Sequence, residues 1–227
     1  LLAESYAITS VELAQGVYIV GTARGEAFGG AAFGGSRLVG LAAGDMVTSP
    51  GTAILNCGGV GGGVSGLGAG TALNAIHLDN VTWGTVRHCT FDQVADHAIL
   101  IDSDCLACTV QGNLAANCLL DHTRSAKQGV FDIDGSDHRV LENEVNASLS
   151  ALSDANARCG AVVLRGGNHF VQNLIGEISD FGIATIGVTA PIRLVNCRAD
   201  LNFGNGYEIS DSTRLTNCLS SRNGRET

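Results

Sequence analysis

The chain has 227 residues, with 22 acidic and 13 basic side chains, a net charge of −9, and 45% hydrophobic but only 5% aromatic residues. That balance excludes non-specific binding to DNA or RNA, which needs a basic surface, and no stretch approaches a membrane span. With 31 glycines and two prolines, the composition fits one elongated domain with a narrow aliphatic core and many bends.

Residues 1–73 read as irregular, glycine-rich opening coils. Val17–Gly21, Arg37–Leu41 and Ala53–Asn56 each read as a short buried strand followed by a bend. Between them, Gly25–Gly35 and Gly58–Gly70 read as glycine-rich loops. The run Gly58 to Gly63 invites a phosphate-loop reading, but it lacks the Lys-Ser/Thr ending. A surface loop is expected there.

From Asn74 to Asn223 one pattern is written six times. A column of Asn or Cys falls at Cys89, Asn113, Asn143, Asn173, Cys197 and Cys218. The last apolar residue of each opening strand falls at Leu78, Ile101, Ile133, Leu164, Ile186 and Ile209. Two residues earlier stand Ile76, Ile99, Phe131, Val162, Ala184 and Tyr207, and two earlier again Asn74, His97, Gly129, Gly160, Gly182 and Asn205. The head column suits a bend that favours positive φ or side-chain-to-backbone bonding. Alternation within each copy has period two, which is strand and not helix, and registered copies of this length mean a solenoid. Leucine-rich repeats would need Leu at Gly84, Cys108, His138, Asn168, Ile192 and Thr213. One of those six is apolar, so that reading is rejected. An all-β parallel β-helix of about eight to ten coils remains, each column a ladder inside the tube.

At these columns the sequence resembles the pectin-lyase-like superfamily of right-handed parallel β-helices, which includes polysaccharide lyases and hydrolases, mannuronan epimerases and phage tail spikes. The resemblance covers nearly the whole chain. It implies a single β-helix domain over 1–227, extracellular or virion-borne, that engages a polysaccharide. In that superfamily a helix usually caps the opening coil. None is visible here, and the chain stops at Asn223–Thr227 directly after a full coil. Flanking domains or a homo-oligomer are therefore expected to cover the open ends.

Eight cysteines do not make a disulfide framework. Three fall in the ladder column, where parallel inward side chains rarely give a disulfide dihedral. Cys105 and Cys108 form a lone CxxC without a second pair. Cys118 and Cys159 lie in two insertions, near Ala116–Gln128 and Ala147–Cys159, and a bridge between them is left open. Both insertions follow the Asn/Cys rung, so they should emerge side by side and wall a groove.

The residue after each opening strand should face outwards: Asp79, Asp102, Asp134, Arg165, Gly187 and Ser210. The outward residue within the strand reads His77, Leu100, Asp132, Val163, Thr185 and Glu208. Asp79, Asp102, Asp134 and Arg165 are the candidate catalytic residues, with His77, Asp132 and Trp83 as candidates for substrate binding. Carboxylates one strand apart repel and raise each other's pKa unless a cation or a shared proton compensates. Three readings follow. Asp favours the bend while Arg165 neutralises Asp134; or Asp79, Asp102 and Asp134 bind Ca2+; or the cluster cleaves a sugar chain lying along the sheet. The superfamily's calcium-dependent lyases look similar in kind, using acidic metal ligands and an Arg base, but its hydrolase signatures (Asn-Thr-Asp, Gly-His-Gly, Arg-Ile-Lys) are absent. His97 reads as a turn residue, and His138 and His169 as surface residues. The expected function is a lyase or hydrolase acting on a glycan; the alternatives are a non-catalytic glycan-binding shaft and a structural spacer.

Overall fold

A computed structural model describes residues 74–92, 94, 96–118, 127–148, 159–177 and 179–224. Upstream it describes six short strands, Ser5–Ile8, Val11–Glu12, Arg37–Gly40, Val47–Ser49, Ile54–Leu55 and Gly62–Gly66. Strands therefore stand at two of the three opening segments expected, 37–41 and 53–56, while 17–21 and the loop 25–35 lie outside the described residues. The expected loop at 58–70 is corrected: Gly62–Gly66 is a strand, paired in parallel with Arg37–Gly40 and Cys89–Asp92. Backbone pairing on both sides holds a segment whose glycines offer little side chain to pack.

Each regular coil contributes three strands to three parallel sheets. In the first regular coil these are Ile76–Leu78 in an opening sheet, Thr85–Arg87 in a middle sheet and Cys89–Asp92 in a closing sheet. The opening sheet has eight strands, the middle sheet six and the closing sheet nine, every regular neighbour being the next coil. This is the parallel β-helix expected from the columns. The core is aliphatic, with Ile76, Ile99, Phe131, Val162 and Ile183 stacked from one side and Val86, Val110, Val140, Val171 and Leu194 from another, all buried. Phe91 and Phe131 meet edge to face at 6.2 Å, the offset geometry that ring quadrupoles favour.

Positive φ stands at all three bends, with Leu201 and Arg222 on the way back to the opening sheet, but not at the head column. Between the opening and middle sheets it falls on Trp83, Ala107, Asp137 and Asn168; between the middle and closing sheets on His88, Gly112, Glu142, Asn173, Asn196 and Asn217. The glycines at the head answer to close approach instead. A Cβ on Gly129 would lie 2.4 Å from the Phe131 carbonyl oxygen, and one on Gly160 would lie 1.9 Å from the Phe181 ring.

Cys89, Asn113 and Asn143 stack as expected, all buried. The Asn143 Oδ1 accepts from the Asn113 backbone N–H and from Asn113 Nδ2, both at 3.0 Å, and Asn113 Oδ1 accepts from the Cys89 N–H at 3.0 Å. Asn173 does not continue the ladder. Val171 pairs with Val140, so the next rung is buried Leu174, while Asn173 takes the exposed left-handed position. A second ladder, unforeseen, runs through Asn202 and Asn223 at the bend back to the opening sheet. The fifth coil is also shifted by one: Ile183 and Thr185 pair with Val162 and Leu164, in place of Ala184 and Ile186.

None of the seven described cysteines is in a disulfide. Cys118 and Cys159 are buried and unbridged, paired on neighbouring rungs with Ser148 and Gln128. The roots of the two insertions are thus stacked; the loops between them, 119–126 and 149–158, lie outside the described residues.

His138 and His169 are not surface residues. Both are buried, with rings stacked 5.0 Å apart. Nδ1 of His138 accepts from the Cys108 N–H at 2.9 Å, and its Nε2–H donates to the Asp134 carbonyl at 2.7 Å. His169 repeats the scheme, accepting from the His138 N–H and donating to the Arg165 carbonyl. Burial, then the neighbouring His169, lower the pKa of His138 to about 4, and burial lowers that of His169. Because the folded pKa is depressed, this stabilisation is complete above the unfolded value near 6.5 and is lost as pH falls through about 4. Urea unfolding between pH 7 and pH 4 should show a loss approaching ~3 kcal/mol from His138. Asp200 contributes in a lower window, since Arg222 holds it down to about 2. A midpoint unchanged down to pH 4 would refute the neutral stack.

Candidate functional site

The outward residues of the opening sheet and its following bend form the expected ladder through four coils. Leu100 pairs with His77 and with Asp132, and Asp132 with Val163. The Asp102 N–H donates to the Leu78 carbonyl and the Asp134 N–H to the Ile101 carbonyl, so Asp79, Asp102, Asp134 and Arg165 occupy successive rungs. Beyond Arg165 the register shifts at a bulge between Leu164 and Gly166. Ala184, not Thr185, then continues the outward column to Glu208, while Thr185 turns in to bond Thr213 at 2.9 Å.

The ladder divides into an open and a covered half. In the open half, His77 Nε2 lies 2.8 Å from Asp102 Oδ2, with the two side chains 22% and 41% exposed. Asp79 stands partly exposed on the rung beside them. In the covered half, Arg165 makes a two-pronged ion pair with Asp132, Nε to Oδ1 at 2.8 Å and Nη2 to Oδ2 at 3.1 Å, and Nη2 also donates to the Lys127 carbonyl at 2.7 Å. The partner of Arg165 is therefore Asp132 rather than the expected Asp134, whose Oδ1 accepts from the Gly135 N–H at 2.7 Å. The side-chain hydrogen bonds to Asp132 raise the Arg165 pKa above its already high value. Asp132 itself is only 5% exposed.

Lys127 is not among the sequence candidates. It lies at the end of an insertion, where no column marks it. Its Nζ stands 5.5 Å from the centre of the Phe181 ring and pairs with Glu208. Phe181, Val163 and Ala184 form an apolar cluster of their own on the outer side of the sheet. Lys127 and Arg165 thus strap the third to sixth coils, leaving the first two coils as the accessible part of the ladder.

No group of three His, Cys, Asp or Glu side chains among the described residues is close enough to hold a metal ion. Asp79, Asp102 and Asp134 therefore do not converge as the expected Ca2+ ligands. Trp83 is 57% exposed, at the bend that follows the acidic rungs. His97 is a turn residue as expected: it is buried, Nδ1 bonds the Gly129 carbonyl at 2.7 Å, and Nε2 faces Asp96 at 3.3 Å.

Comparison with protein families matches residues 74–226 to a right-handed β-helix region. No curated protein matches. Among solved structures, the catalytic domain of a GH87 α-1,3-glucanase variant in complex with tetrasaccharides is similar, with TM-score 0.51 and 10% identity over 83% of this chain and 45% of that one. A second variant of that catalytic domain, in complex with nigerose, gives TM-score 0.50 and 11% identity over 83% and 45%. The chain spans less than half the length of these domains, and at such identity the likeness is one of fold.

Proposed function

The chain belongs to the right-handed β-helix family, and from that premise we propose that it acts on a glycan by hydrolysis at the open half of the acidic ladder. The observation that carries this reading is the half-exposed His77–Asp102 pair at 2.8 Å, with Asp79 one rung away. Adjacent rungs stand roughly 4.8 Å apart, close to the ~5–5.5 Å between the two carboxyl groups of a retaining glycosidase. In this reading Asp79 and Asp102 flank the scissile bond, His77 holds Asp102 in place, and Trp83 stacks on a neighbouring sugar. Hydrolysis is favoured over elimination by an arginine base, because Arg165 is doubly bonded to Asp132 and its proton is held more firmly than usual. A secreted or virion-borne setting would suit such a substrate.

The test is release of reducing ends from a panel of polysaccharides that includes α-1,3-glucan. Asp102→Asn and Asp79→Asn should each lower the rate at least ~100-fold without changing the unfolding midpoint, since both side chains are partly exposed. New ultraviolet absorbance from unsaturated products would instead select a lyase. Binding without turnover on every glycan would make the protein a shaft that holds sugar chains.

A further inference from the structure

The middle sheet carries a basic stripe that its acidic composition does not foretell. Its outward residues pair in the order Thr85, Thr109, Arg139, Phe170, Arg193 and Arg214. Arg139, Arg193 and Arg214 are exposed and Phe170 is half-buried between them. Arg87 stands exposed in the adjacent outward column, followed by Gln111, Leu141, Gln172, Val195 and Thr216. No Asp or Glu occupies either column, in a chain with 22 acidic residues against 13 basic ones. Among the described residues no ion pair engages any of these four arginines, although Arg165, Arg198 and Arg222 are all paired. Arg193 and Arg214 sit on neighbouring rungs, where like charges directly opposite oppose sheet formation. A row of unpaired guanidinium groups on a rigid frame is matched by a row of anions.

We propose that the outer face of the middle sheet binds a linear anionic polysaccharide. Arg139, Arg193 and Arg214 take its carboxylate or sulfate groups, which a guanidinium grips in two-pronged fashion. Phe170, on the rung between Arg139 and Arg193, supplies an apolar plane for the intervening sugar ring. Roughly 4.8 Å separates adjacent rungs, so cations recur at one- and two-rung intervals along the direction in which the tube grows. Duplex DNA fits less well: counting both strands, its phosphates come every ~1.7 Å of axis, and the net charge of −9 repels so dense a polyanion beyond the stripe. This site takes its choice of polymer from the glycan reading above, but it stands on a different sheet from Asp79 and Asp102 and needs no turnover.

The experiment measures binding by affinity electrophoresis and calorimetry, with polygalacturonate, heparin, neutral dextran and an oligothymidylate as probes. Polygalacturonate or heparin should bind, dextran should not, and the affinity should fall with added salt. The exposed triple variant Arg139→Gln/Arg193→Gln/Arg214→Gln should melt as the parent does and lose at least about tenfold in affinity, and Phe170→Ala should weaken binding without changing its salt dependence. A parent protein that binds at this stripe but never releases reducing ends would remove the hydrolytic reading and keep this one. The inference fails if neither anionic glycan binds at low salt, if the triple variant keeps its affinity, or if oligothymidylate binds more tightly than both. Binding by carboxylated but not sulfated chains, or the reverse, would name the anion.

Discussion

Asn143→Ala should destabilise the protein by about 4 kcal/mol, measured as a lower urea midpoint. Asn143 Oδ1 accepts from both the N–H and the Nδ2 of Asn113, and its own Nδ2 donates to the Val110 carbonyl at 2.9 Å. Removing the amide leaves two donors of Asn113 without an acceptor in a fully buried place, at roughly 1–3 kcal/mol each, and leaves a void that close-packed neighbours fill only in part. Asn113 cannot relieve the loss by turning, because its other hydrogen bonds, Nδ2 to the Val86 carbonyl and Oδ1 to the Cys89 N–H, fix its orientation. The control is Asn173→Gly. Asn173 is exposed at φ 53, a backbone conformation that glycine adopts freely, so this change should leave the midpoint within about 0.5 kcal/mol. Equal effects at 143 and 173 would mean that the ladder continues through Asn173 after all.

That contrast also marks what was legible in the sequence. Registration of Ile76 with Ile99 and Phe131, and of Cys89 with Asn113 and Asn143, could be read because His77 and Asp132 mark the polar parity on either side of Leu100, and the Asn/Cys column marks the rung. It slipped by one at two strands where both parities are apolar. Phe170 and Val171 are consecutive, and only the structure shows that Val171 points in while Phe170 joins the arginine column outside. Ile183, Ala184 and Ile186 are ambiguous for a related reason: the outer side of that strand is itself buried beneath Phe181 and Lys127. The strand Gly62–Gly66 was hidden because glycines carry no side-chain alternation to read. Of the candidate site, the order of Asp79, Asp102, Asp134 and Arg165 along the ladder followed from the columns, whereas the His77–Asp102 pair came only from the structure. The partner of Arg165 did not, since a long side chain reaches either of two carboxylates and the backbone carbonyl of Lys127 decides between them. The histidine stack was missed because a polar residue at a bend reads as exposed until the coil above is known to cover it.

Arg165→Ala should destabilise the fold by about 3–5 kcal/mol, the cost of breaking a buried pair by removing one partner. Asp132 would be left almost wholly buried with no counter-charge, and the Lys127 carbonyl would lose the donor that ties the end of the insertion to the sheet. The double variant Arg165→Ala/Asp132→Leu separates charge from packing. Its outward column would be apolar from Leu100 through position 132 to Val163, continuous with the cluster of Val163, Phe181 and Ala184. Such replacement of an ion pair by apolar side chains is often neutral, and it should recover most of the lost stability. Turnover and the pH profile of the double variant should match the parent, because the open half at His77, Asp79 and Asp102 does not use Arg165. If instead the double variant were stable yet inactive, Arg165 would belong to the reaction, and elimination by an arginine base would replace hydrolysis as the reading of this face.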